Sequence, residues 1–200
     1  VLAKMGETCE SLNLSKNVLE TTSMIYRNLD GHIDVKGKSV VCITAATIYM
    51  ACKQCDVVRS LEEICRGIVP AKDVKSKTKL AARYYRTMVM EMGTLKAPVL
   101  TMDKYISKIA NMTQTEVRVE RLALEIAEKT KKNSISDGKS PNGIAAAYLY
   151  VSSVLLGQSV LQRDVSSVAG VTEVTIRNRC KEILTSHKLK ITLRPSLAKC

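Results

Sequence analysis

The sequence predicts an all-α protein built from two tandem five-helix units, the second of which ends in a helix-turn-helix. Three observations carry this. Apolar residues recur at helical rather than alternating spacing throughout. The chain repeats itself at a fixed offset. A single glycine, Gly170, separates two short helical patterns near the end of the second copy.

The repeat fixes the frame for the elements. At an offset of 101 residues, Val18 pairs with Val119, Ile25 with Ile126, the first "GKS" (37 to 39) with the second (138 to 140), and Ile43 with Ile144. Ala45 and Ala46 match Ala146 and Ala147, and Tyr49 matches Tyr150. The register holds to Ile64 and Val165, then slips by about six residues, because the first copy carries extra sequence around "IVPAKDVKSKTK".

Helices are expected at about 2–12, 16–30, 40–55, 61–67 and 78–92, and again at 102–111, 116–132, 141–156, 160–169 and 173–186. Ser15, Ser39 and Ser140 precede helical patterns, and Pro141 takes a first-turn position where its missing N–H costs nothing. "SLEE" from Ser60 and "SVLQ" from Ser159 both have capping-box form, which starts the fourth helix of each copy at the same place. The third helices, "CITAATIYMAC" and "GIAAAYLYVSS", are apolar nearly all round, as a helix enclosed by neighbours must be. The domain frame is then a first unit at 1–93, a linker at 94–101, a second unit at 102–187 and a basic tail at 188–200. The basic stretch with Lys72, Lys75, Lys77 and Lys79 reads as a solvated loop.

Composition narrows the function classes. Thirty-one Lys plus Arg against nineteen Asp plus Glu leave a net charge of +12, which calls for a polyanionic partner such as nucleic acid or an anionic membrane surface. No apolar run is long enough to span a bilayer and no signal peptide opens the chain, so no membrane role is expected. Val1 in place of Met, and the abrupt Cys200, read as a piece of something longer. Seven scattered cysteines fit reduced thiols. "CKQC" (Cys52 to Cys55) lies within an Ala-rich helical pattern without a preceding strand or a second close ligand pair. It reads as packing, with no metal and no cofactor expected.

An enzyme is a poor fit. A phosphate loop ending in "GKS" requires glycine where the chain has His32 and Asn133. His32 and His187 stand near no nucleophile in a recognisable pattern.

The helix-turn-helix is the informative motif. Val165, Ala169, Val171, Ile176 and Cys180 are the apolar positions that pack two short helices across the Gly170 turn. On the last helix Ile176, Cys180, Ile183 and Leu184 form the apolar face, while Val174 lies roughly 160° from Ile176, among Asn178 and Lys181. An exposed valine is commonplace by itself. Beside Arg177 and Asn178 it has a use: arginine reads guanine, asparagine reads adenine, and an apolar side chain touches a thymine methyl.

"DGKSPNGIAAAYLY" followed by "QRDVSSVAGVTEVTIRNRCKEI" resembles the second cyclin-type repeat of the transcription factor IIB family, and "KGKSVVCITAATIYMACKQCDVVRSLEEIC" resembles the first. The resemblance implies two cyclin-like domains that clasp the complex of TATA-binding protein with promoter DNA, with no enzymatic step. By that similarity Val174 and Arg177, with Thr175 close by, match major-groove contacts upstream of TATA. Asn178, Lys181 and Lys139 join them as DNA-binding candidates, and Lys36, Gly37 and Lys38 match a first-repeat loop that approaches DNA downstream. It further implies a monomer, and a nuclear location in a eukaryote or a nucleoid one in an archaeon. RNA polymerase would be engaged through an N-terminal zinc ribbon and linker absent from these 200 residues. Val160 and Leu161 replace a basic residue and a threonine usual in the family, which passes the cap to Ser159, and Cys180 replaces an aromatic. Cyclin-type repeats also permit an alternative, a protein-binding module such as a kinase activator.

Overall fold

The structure, a computed structural model of the chain, describes residues 1–30, 37–91, 100–130 and 139–186. The chain divides into two compact units, Val1–Leu100 and Thr101–Cys200. Among the described residues the first contains α1 (Leu2–Ser11), α2 (Lys16–Asp30), α3 (Val40–Gln54), α4 (Leu61–Arg66), a 3₁₀ turn (Ala71–Asp73) and α5 (Val74–Glu91). The second contains α6 (Met102–Met112), α7 (Val117–Thr130), α8 (Pro141–Leu155), α9 (Gln162–Ala169) and α10 (Glu173–Ser186). No strand occurs among the described residues.

Each unit is organised around its third helix. In α3 the run Cys42–Ile48 is buried without a break, together with Met50, Ala51 and Cys52, and α1, α2, α4 and α5 all pack on it. In α8 the run Gly143–Leu149 is buried likewise, with α6, α7, α9 and α10 around it. Alanines at 45, 46, 51, 145, 146 and 147 keep these central helices thin enough for neighbours to approach on several sides.

The 101-residue repeat extends to backbone geometry that the amino acids conceal. After α1 the chain turns through Asn13 at φ +50°, and after α6 through Gln114 at φ +50°. After α3 it turns through Asp56 at φ +59°, and after α8 through Gly157 at φ +67°. Each turn is closed by the same bond five residues back: Leu14 N–H to the Cys9 carbonyl and Thr115 N–H to that of Ala110 (both 2.9 Å), Val57 to Cys52 (2.7 Å) and Gln158 to Ser153 (2.8 Å). The slip of about six residues is visible in burial: at an offset of 95, the inward residues Ala81, Tyr85 and Met88 of α5 match Ile176, Cys180 and Ile183 of α10.

Three expectations are corrected. Lys75, Lys77 and Lys79 are not in a loop but in the first turns of α5, with Lys72 in the 3₁₀ turn before it. Val74, only 4% exposed, draws this segment onto the core, so the helix starts four residues earlier than the pattern suggested. The capping box holds at Ser60, whose hydroxyl accepts from Glu63 N–H (3.1 Å) while the Glu63 carboxylate accepts from Ser60 N–H (3.0 Å). It fails at Ser159: α9 begins at Gln162, its N-cap is Leu161, and no side chain caps it. Leu184 is 52% exposed and leaves the inward face to Ile176, Cys180 and Ile183. At 80° from Ile176 on the helical wheel it sits at the margin of that face, where packing rather than periodicity decides. Ser39 and Ser140 take the N-cap positions with Pro141 at the first turn, but neither serine makes a side-chain capping bond.

Candidate nucleic-acid interface

The site is built on α9, its turn and α10. Gly170 leaves α9 in the left-handed region, at φ +65° and ψ +35°. Its N–H bonds the Ser167 carbonyl (3.3 Å) and the next N–H, of Val171, reaches back to that of Ser166 (3.1 Å). This pair of bonds is a Schellman ending, which a residue with a Cβ adopts only under strain. Two residues on, Thr172 restarts the helix, its hydroxyl accepting from Thr175 N–H at 3.2 Å. Val165, Ala169, Ile176 and Cys180 are buried and Val171 is half-buried, so the apolar positions expected across the turn do pack together.

Seating α10 on α8 determines what it shows to solvent. The Cys180 thiol donates to the Ala147 carbonyl at 3.8 Å, and burial pushes it up to about 11. Farther up the helix, a Cβ placed on Gly143 would lie 3.3 Å from the Thr175 methyl and 3.8 Å from Val171 Cγ1, so α8 and the start of α10 meet at a glycine with little space left. With Ile176, Cys180 and Ile183 turned inward, Val174 is 56% exposed, and Arg177, Asn178 and Lys181 are exposed with it. These four share one face of α10.

Thr175 does not join them. It is half-buried, its methyl faces Gly143, and its hydroxyl lies 2.9 Å from that of Thr172. Lys139 reaches the other edge of α10, where its ammonium donates to Glu182 Oε2 at 3.0 Å. Arg179 donates to the same carboxylate, to Oε1 at 2.7 Å and Oε2 at 2.5 Å. Lys139, aided by Arg179, holds Glu182 below the usual carboxylate range. Neither Arg179 nor Glu182 stood out in the sequence. Lys139 and Glu182 are 43 residues apart, and only the packing of α10 on the N-terminal end of α8 brings them together.

In the first unit, Gly37 is exposed at φ +75°. Lys38 is half-buried and lines a cavity with Leu29, Ile43, Leu80 and Tyr84. Lys36 lies outside the described residues. Cys52 is fully buried in this unit's core, where burial pushes its thiol up to about 12, while Cys55 is half-buried against Thr21 (Sγ to Oγ1 3.4 Å). Among the described residues there is no cluster of three or more His, Cys, Asp or Glu side chains able to hold a metal, and no helix long and apolar enough to cross a membrane.

Two tandem helical units, each wrapped round a buried central helix and the second closing in a helix-turn-helix with a loaded outer face, define a repeat protein of the nucleic-acid-binding class. The transcription factor TFIIB repeat matches twice, over residues 2–84 and 95–186. The chain belongs to the transcription factor IIB family. It is 38% identical to transcription initiation factor IIB of Pyrodictium occultum over 184 residues, covering 92% of this chain and 56% of that protein. It is 37% identical to the factor of the same name from Archaeoglobus fulgidus over 192 residues (96% and 57%). With that of Saccharolobus shibatae the identity is 37% over 180 residues (90% and 56%). The chain thus spans just over half the length of these relatives.

Proposed function

We propose that this chain is the non-enzymatic core of a general transcription initiation factor, which binds the complex of TATA-binding protein with promoter DNA and reads sequence beside TATA through α10. The observation that carries this is Val174, an apolar side chain left 56% exposed beside Arg177, Asn178 and Lys181 on the second helix of a helix-turn-helix. In the major groove Val174 meets a thymine methyl, Arg177 or Asn178 donates to base edges, and Lys181 meets a phosphate. Thr175 serves this reading from behind, by holding the start of α10 against α8. Lys36, Gly37 and Lys38 of the first unit approach the duplex on the other side of TATA. RNA polymerase is engaged through sequence outside these 200 residues, and the protein works where the chromosome is.

An electrophoretic mobility shift with promoter DNA, with and without TATA-binding protein, tests the reading. The expected result is a further shift of the preformed complex that Arg177→Ala weakens. No shift at any protein concentration, together with recovery of a protein kinase on the immobilised chain, would favour the kinase-activator alternative.

A further inference from the structure

The two units differ at one equivalent place. Lys38 and Lys139 correspond at the 101-residue offset, and each precedes the N-cap serine of a central helix. At the 95-residue offset of the last helices, Arg179 and Glu182 correspond to Tyr84 and Thr87. In the first unit Lys38, Tyr84 and Thr87 line an apolar cavity with Leu29 and Met88. In the second, the same three positions hold a carboxylate clamped by two cations: Lys139 at 3.0 Å and Arg179 at 2.5 to 2.7 Å. One framework thus carries an apolar recess in one copy and a charged latch in the other. All three latch side chains are partly accessible, Lys139 33%, Arg179 23% and Glu182 36% exposed, so the latch is not needed to satisfy a charge buried in the core.

We propose that Glu182 is a positioning residue for DNA binding: it holds Lys139 at the edge of α10, so that the ammonium is already in place for a backbone phosphate bordering the groove that α10 occupies. This rests on the reading of α10 as the DNA-facing helix. A free lysine loses several rotamers' worth of freedom when it settles on a phosphate. Lys139 has spent that freedom on folding, and only one of its three N–H donors goes to Glu182. Two cations share one anion, so the latch keeps a net positive charge. Arg179, occupying both carboxylate oxygens, keeps Glu182 aimed.

The proposal predicts an effect opposite in sign to plain electrostatics. Removing an acidic side chain beside a DNA-binding helix should, by charge alone, tighten binding. The latch predicts that Glu182→Ala weakens it, by about fivefold, the size of one modest preorganised contact. Glu182→Gln, which keeps an acceptor for Lys139, falls between Ala and wild type.

The test is titration of a TATA-binding protein–promoter DNA complex with the 200-residue chain at fixed salt, for the wild type, Glu182→Ala, Glu182→Gln, Lys139→Ala and the Lys139→Ala/Glu182→Ala double variant. Circular dichroism confirms that each remains helical, and the Gln variant serves if the Ala variant does not. The expected result is weaker binding by Glu182→Ala, partial recovery by Gln, and no further loss from Glu182→Ala once Lys139 is alanine. Binding by both Glu182 variants that equals or exceeds wild type overturns the latch. So does a loss from Glu182→Ala that persists undiminished without Lys139. Those outcomes leave the DNA-binding function intact. Failure of the wild type itself to bind removes that function and the latch with it.

Discussion

At position 174 an apolar side chain stands in water for a reason that packing does not supply. Ile176, Cys180 and Ile183 already fill the inward face of α10, and Val174 lies on the opposite side with Arg177, Asn178 and Lys181. Val174→Ala should therefore change folding stability by about 0.5 kcal/mol or less, as surface substitutions do, while discrimination among sequences flanking TATA falls. Arg177→Ala should cost about 1 to 3 kcal/mol of binding and relax preference at one base pair. Lys181→Ala should weaken binding evenly across sequences and lower the salt slope by about 1. Competition binding against a library of flanking sequences, paired with thermal melting, checks all three. A large drop in melting temperature for Val174→Ala with unchanged preference would assign it to the core instead. Thr175 behaves differently because its methyl faces Gly143. Its loss should appear as a looser α8–α10 contact and a lower melting temperature.

The fourth helices of the two units make a matched pair for testing element stability. α4 has a complete capping box at Ser60 and Glu63, whereas α9 starts behind Leu161, which is 63% exposed and caps nothing. Leu161 already holds the extended backbone of an N-cap, φ −78° and ψ 133°, so a hydroxyl placed there needs no rearrangement. Leu161→Ser should stabilise the second unit by about 0.5 to 1 kcal/mol, and Ser60→Ala should destabilise the first by about 1 kcal/mol. Chemical denaturation of the two variants measures both. A destabilised Leu161→Ser would mean that the leucine packs on something its exposure conceals. The early start of α5 has the opposite origin: no cap places it, but buried Val74 carries a lysine-rich segment into helix that its composition would leave as loop.

At the scale of the whole molecule the net charge of +12 sets the dominant binding term. Affinity for a promoter complex should fall linearly in log–log form as salt rises, because phosphate neutralisation releases counterions. Affinity indifferent to ionic strength would remove the nucleic-acid reading altogether. The cores impose a second dependence. Burial raises the Cys52 thiol from 9.0 to about 12 and that of Cys180 to about 11. Each is kept neutral in the folded state beyond the pH at which the unfolded chain ionises. Their contribution to stability is therefore complete below about pH 9 and is lost as the pH climbs toward their folded values. Melting temperature under reducing conditions should fall between pH 8 and pH 10.5, and Cys52→Ala should flatten that fall. A profile identical to wild type would show that Cys52 ionises alike in both states.

The sequence by itself determined the elements whose causes are local or repeated. Helical periodicity located every α-helix, the 101-residue offset exposed the duplication, and Gly170 between two short apolar patterns marked the turn of the helix-turn-helix. Those signals rest on backbone sterics and on burial of one helix face, both written into neighbouring residues. The exposure of Val174 was legible for the same reason, since it lies opposite a face that the core must claim. What lay at the edge of a face was not legible. Leu184, Thr175 and Arg179 each sit where a small rotation of the helix chooses between solvent and neighbour, and the contact of α10 with Gly143 of α8 makes that choice. Ser159 carried the right local chemistry for a cap, yet the helix starts at Gln162. Only the tertiary structure could place Glu182 between Lys139 and Arg179, because a salt bridge spanning 43 residues leaves no periodic trace and depends on where two helices meet.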